Sequence, residues 1–301
     1  MQSLWMLLAS IMFALMGACV KISADLGVSL PQVVLFRGLP SVVLIALWAH
    51  LRSRRLRPDS WKLHIRRNIS GVMSMWLGFL ALSTLPLSTA VSLNYTAPLF
   101  IATWLLVWGG SQRDPIRILA VLFGFLGVLA VLRPSISEEQ LIYAMFGLTG
   151  GALAAFAMMQ IRALGRVGEP EWRTVFLFSC FVCASSVIGL GIQGWSDLSY
   201  EAWAAVIGVG LAGLIGQLAM TRAFGLGSAL LTAALQYTTI IFAALLGMMF
   251  WGDIPDVVAW AGMVLIIASG LLSVWRTYHE DRIMRGQAGA TTTQRVEEDH
   301  V

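Results

Sequence analysis

The chain has 301 residues, of which 58% are hydrophobic and only 12% charged, with a formal net charge of +4. A soluble domain carries roughly 25% charged residues; here long uncharged apolar runs follow one another, which excludes a water-soluble fold and indicates a polytopic membrane protein. The three cysteines, Cys19, Cys180 and Cys183, all lie in apolar segments, so no disulfide framework is implied.

Ten spanning helices are predicted in chain order, at about 3–23, 31–51, 68–85, 88–108, 115–132, 142–164, 172–193, 201–223, 228–251 and 256–276. Each is long enough for a hydrocarbon core of about 30 Å. The first, MQSLWMLLASIMFALMGACV, has neither a basic start nor a small-residue cleavage site, and reads as a span that stays in place. Lys21 ends it and reads as snorkelling to the membrane edge. The second carries Arg37 before Gly38 and Pro40. A cation inside a span is costly and by default marks function, here holding an anionic substrate group, with snorkelling as the alternative.

The loop Leu51 to Arg67 is strongly basic and reads as a positive-inside loop against anionic lipid, not as a nucleic-acid surface. With the N-terminus in the cytoplasm, most Lys and Arg fall on the cytoplasmic side, leaving Lys21, Arg37 and Arg133 towards the outside. Trp76 lies well inside the third span, where it either stacks on a substrate or fills space.

The fourth span holds the main clue, STAVSLNYTAPLF at 88–100. Asn94, Tyr95 and Thr96 are polar groups at mid-depth, and Pro98 is expected to kink the helix by freeing the Asn94 carbonyl. The ninth span repeats the text as LLTAALQYTTIIF at 230–242, so that Gln236 and Tyr237 match Asn94 and Tyr95. Either these residues line a cavity or they glue the two helices together. Gln160 and Gln217 are lone amides in spans six and eight that serve either purpose. The CxxC at Cys180–Cys183 and the GxGxxG at 208–213 lie within apolar spans and read as helix packing.

The spacing of 142 residues between Tyr95 and Tyr237 is close to half the membrane part. Five spans per half is an odd number, so the second half sits upside down relative to the first. The predicted fold class is therefore all-α integral membrane, with ten transmembrane helices as two inverted five-helix repeats, 1–135 and 136–276, and a disordered cytoplasmic tail at 277–301. Such repeats are a signature of secondary transporters with a mid-membrane site. No Asp or Glu lies in the middle of any span, and His50, His64, His279 and His300 fall in predicted loops or the tail. A buried proton relay therefore has no obvious carrier, although Asp25 keeps proton coupling open. Neither His50 nor His64 begins an HxxxxD motif, and there is no Walker A sequence, so the chain does not read as an enzyme.

The run PLSTAVSLNYTAPLF at 86–100, GFLGVLAVLRP at 124–134 and the ten-helix pattern resemble the EamA branch of the drug/metabolite transporter superfamily. Arg37 falls where many members carry an arginine early in helix two. The resemblance implies transport of small metabolites, often export, through a central cavity lined by helices one to four and six to nine. The first half departs from the family pattern in reading Trp108-Gly109-Gly110-Ser111 where members often carry Gly-Glu after helix four. The expected substrate-binding set is Arg37, Trp76, Asn94, Tyr95, Gln160, Gln217, Gln236 and Tyr237. No cofactor or metal is expected. The expected partners are a small-molecule substrate and membrane lipid, not nucleic acid, with a homodimer left open. The competing reading is a non-transporting structural or sensory membrane protein, against which the repeated polar pair argues.

Overall fold

The computed structural model describes residues 2–97, 99, 100, 103, 115–132, 138–226, 235–269, 271, 272 and 275. Among these the chain folds entirely as helices and their connecting turns: α1 Gln2–Asp25, α2 Leu30–Leu51, α3 Trp61–Thr84, α4 Leu87–Asn94, α5 Pro115–Leu132, α6 Glu138–Arg166, α7 Glu171–Gln193, α8 Tyr200–Leu226, α9 Thr238–Trp251 and α10 Val257–Ser269. Five of them, α1, α2, α6, α7 and α8, are long and apolar enough to cross a membrane by length and composition. Large apolar side chains such as Val187, Ile188, Ile192, Met249 and Val257 point outwards, fully at odds with an aqueous surround.

The predicted spans 31–51, 115–132 and 172–193 coincide with α2, α5 and α7 to within a residue. Three differ. The third helix starts at Trp61, not 68, so Lys62 to Arg67 are helical and not loop. His64 and Arg67 are buried there, which corrects their placement on an exposed basic loop. The fourth helix stops at Asn94, and the ninth begins at Thr238. The stretches 104–114 and 227–234, and the tail from 276, lie outside the described residues.

The breaks in α4 and α9 share a hydrogen bond. In the first arm Tyr95 and Thr96 form a turn before helix resumes at Ala97; in the second Tyr237 alone is the turn. At both breaks a threonine hydroxyl donates to the leucine carbonyl three residues back, Thr96 to Leu93 and Thr238 to Leu235, each at 2.6 Å. A side chain that satisfies this carbonyl competes with the helical ladder and bends it. Pro98 is the residue expected to kink the first arm. Pro98 lies outside the described residues, and the second arm breaks without a proline.

The helices pack in a crossed pattern. α1 lies along α8, α3 along α6, α2 against α7 and α8, and α4 against α9. Glycines permit the closest approaches. A Cβ on Gly210 would meet the Phe36 carbonyl at 2.5 Å, and one on Gly38 would meet Cys183 Sγ at 2.7 Å. The GxGxxG and CxxC segments thus serve the α2–α8 and α2–α7 seams. α5 and α10 seat together at Gly127, where an added Cβ would lie 2.8 Å from the Gly262 carbonyl. The main apolar core gathers Phe79, Leu85, Leu87, Leu93, Val206, Ile240 and Ile266.

A cavity at the broken helices

A cavity of about 190 Å³ opens between α1, α2, α3, α4, α6, α7, α8 and the segment leading into α9. Its walls are mostly apolar, with Phe13, Met16, Phe79, Met158, Phe178 and Met220, and a few polar groups converge on it. That combination is the usual form of a small-molecule site.

Of the sequence-predicted residues, Arg37, Asn94, Tyr95, Gln217 and Gln236 line this cavity together. Arg37 is 3% exposed, which rules out snorkelling to an interface. Its Nη2 donates to Gln217 Oε1 at 3.3 Å, while Nε and Nη1 have no hydrogen-bond partner among the described residues. The guanidinium lies across Gly213 of α8, one turn before Gln217, and a Cβ there would sit 2.5 Å from Arg37 Cδ and Nε. Asn94 stands between α3 and α6, facing Gly78 and Gly150. Ser74 steadies the same seam by donating to the Gly150 carbonyl at 2.8 Å.

Three predicted residues lie elsewhere. Trp76 is not in the cavity wall: its Nε1 donates to Ser185 Oγ at 3.0 Å, and its ring packs on Gly189 of α7. Gln160 is half-buried on α6 and turned away, although Ala157 and Ile161 beside it do line the cavity. Tyr237 is 2% exposed within the main core, and its hydroxyl has no partner among the described residues.

Two further cavity residues escaped the sequence reading. Arg67 of α3 is 3% exposed, with its guanidinium 3.7 Å above the Phe178 ring centre, and its Nε and Nη1 also lack partners. Gly71 gives it room, since a Cβ there would lie 3.1 Å from Arg67 Nη1. A signal was present: Arg67, Gly71, Ser74 and Gly78 recur at helical spacing and all line the cavity. Thr239, one turn past Gln236, also contributes its hydroxyl.

Each end of the bundle is bridged. At one end Glu169 accepts from Arg173 Nη1 at 2.9 Å and from the Asp59 backbone N–H at 3.3 Å, with His64 Nε2 at 3.4 Å and Arg173 also reaching Asp59 at 3.1 Å. Burial holds the His64 imidazole below its ordinary value of 6.5; Glu169 opposes the shift, and the Arg67 and Arg173 charges add to it. At the other end Trp251 Nε1 donates to Asp25 at 2.7 Å, and Lys21, buried and not snorkelling, donates to the Leu85 carbonyl at 3.2 Å. Gln32 there exchanges hydrogen bonds with the Ser196 backbone at 2.8 and 3.1 Å. Among the described residues no three His, Cys, Asp or Glu side chains converge as a metal site.

A sequence profile described as the EamA-like transporter family matches residues 1–133 and 141–275. The chain belongs to that family. It is thus a membrane transporter, not an enzyme. It is 28% identical over 266 residues to the pseudopaline exporter CntI of Pseudomonas aeruginosa, covering 87% of this chain and 92% of that one. A riboflavin transporter of Brucella anthropi is 22% identical over 251 residues, covering 78% and 88%. An S-adenosylmethionine uptake transporter of Rickettsia prowazekii is 22% identical over 244 residues, covering 78% and 79%. A solved crystal structure shares the fold of this EamA-like transporter with a TM-score of 0.63 at 16% identity, over 88% of this chain and 96% of that one.

Proposed function

We propose that this chain is a secondary transporter that carries a small, polar, partly anionic metabolite across the inner membrane by alternating access, in the sense of export or exchange. The observation that carries this reading is the cavity at the broken helices, where Arg37, Asn94, Tyr95, Gln217 and Gln236 converge. Polar groups at that depth must face a partner or a cavity, since lipid satisfies none of them.

The ten helices act as spans, arranged as two inverted repeats, 1–135 and 136–276, with both termini cytoplasmic. Exchanging the halves swaps α1 with α6, α3 with α8 and α4 with α9. The α1–α8 seam then becomes the α6–α3 seam, and the α4–α6 seam becomes the α9–α1 seam; both seams of each pair are present. The matched threonine bonds at the two breaks support the same reading. The named relatives take pseudopaline, riboflavin and S-adenosylmethionine, so kinship alone does not select a cargo and the cavity itself must.

Purified protein in proteoliposomes tests the assignment. Arg37→Ala, Tyr95→Ala and Gln236→Ala are each expected to abolish flux of the cargo while the protein still inserts and folds. Normal flux in all three would sink it.

A further inference from the structure

Two arginines, not one, enter this cavity, and neither meets an acid. Among the described residues no Asp or Glu lines it. Arg37 and Arg67 are close enough to repel one another, and each keeps Nε–H and Nη1–H donors without an acceptor among the described residues. Isolated buried cations are unfavourable, and two in one low-dielectric space are more so. Even so, the fold positions both. Gly213 and Gly71 are cut back to make room for the two side chains, Gln217 orients one guanidinium, and the Phe178 ring supports the other. This is a built site, not a tolerated accident.

α2 runs down to the 52–60 connection and α3 runs back from it, and each arginine lies about two turns inside its own helix. The two guanidiniums therefore approach the cavity from opposite ends of the bundle. A single carboxylate paired with one would leave the other uncompensated.

We infer that the cavity receives a substrate bearing two separated oxyanion groups, a dicarboxylate or a phosphorylated carboxylate, with one group on Arg37 and the other on Arg67. Guanidinium suits this task because its fixed fork of donors fits carboxylate and phosphate oxygens. The flat Gln217 amide and the Asn94 amide add neutral donors beside the two charges. This inference rests on the cavity being the substrate path.

The test uses the full chain in neutral detergent, at constant ionic strength. Succinate, glutarate and 3-phosphoglycerate are titrated by thermal unfolding and calorimetry, against butyrate and glycerol. The dianions should raise the melting temperature and bind at least tenfold more tightly than butyrate. Arg37→Gln and Arg67→Gln should each weaken dianion binding at least tenfold and leave the unliganded melting temperature the same or higher. A merely structural arginine would lower that temperature. No response to any dianion, equal affinity for butyrate, intact dianion binding in Arg67→Gln, or a response confined to added phosphatidylglycerol would each overturn the inference. The two readings fail differently. Flux of an uncharged solute that survives Arg67→Gln leaves the transporter standing and removes the paired-anion site. Dianion binding that both variants lose, with no flux of any bound anion, does the reverse.

Discussion

The segments around Tyr95 and Tyr237 share a leucine, an amide, a tyrosine and a threonine in the same order and carry the same threonine–leucine bond at their helix breaks, yet they present different residues to the cavity. In the first arm both Asn94 and Tyr95 line it. In the second Gln236 lines it while Tyr237 turns into the apolar core. The first break unwinds two residues, the second only one. A residue advances about 100° around a helix, so one extra unwound position changes which side chain faces inwards. Repeated sequence here conserves the hinge and its hydrogen bond, while the two halves divide the contact surface unequally.

That division yields contrasting outcomes for matched substitutions. The largest concerns the tyrosines truncated to alanine. Tyr237→Ala empties a core site and should cost about 3–5 kcal/mol, as for other large aromatic truncations, read as poor yield and a lowered melting temperature. Tyr95→Ala, half-buried at the cavity, should leave thermal unfolding nearly unchanged and remove flux. If the two variants lose stability equally, the arms are equivalent after all. Next come the hinges. Thr96→Val and Thr238→Val each remove one donor to a leucine carbonyl that keeps a second, the Thr96 N–H at Leu93 and the Ser10 hydroxyl at Leu235, and should each cost about 0.5–1.5 kcal/mol. Unequal losses would show that one break depends on something other than this bond.

Smaller effects follow from the polar atoms. Asn94→Leu should reduce flux more than Gln236→Leu, because Asn94 is wedged at the α3–α6 seam as well as facing the cavity. Reversal of that order, measured as initial rates in proteoliposomes, would move the weight to the second arm. The smallest change is Tyr237→Phe. Its hydroxyl is buried without a partner, so its removal should be neutral or stabilising by up to about 1 kcal/mol, with flux intact. A clear loss of flux would mean that this hydroxyl acts during the cycle.

Helix order and the principal polar residues were legible because intramembrane polarity is rare and therefore conspicuous. Arg37, Asn94, Gln217 and Gln236 stand alone in apolar text. Arg67 was hidden by its neighbours: beside Lys62 and Arg66 it reads as one more loop cation, and only its helical spacing to Gly71 and Ser74 sets it apart. Trp76, Gln160 and Tyr237, for which the sequence leaves more than one direction open, lie outside the cavity wall. Their depth can be read from position along a span, but their direction depends on the rotation of each helix, which is fixed by seams such as Gly210 on Phe36 and by how many residues a break unwinds.

The bridges at the two ends of the bundle are unlike in kind. One end is closed by Glu169, Arg173, Asp59 and His64; the other by an indole, an ammonium–carbonyl bond and the Gln32 amide. Under the alternating access proposed above, breaking these bridges would set two unequal activation barriers. Unequal barriers do not alter the gradient at which net movement stops, since that is set by the electrochemical potentials of all the transported species and not by barrier heights. They do let the half-saturating concentration and the turnover differ between the two sides. Salt added on the side of the ionic cluster should screen its more exposed Arg173–Asp59 pair and speed opening there, while salt on the opposite side should leave the rate unchanged.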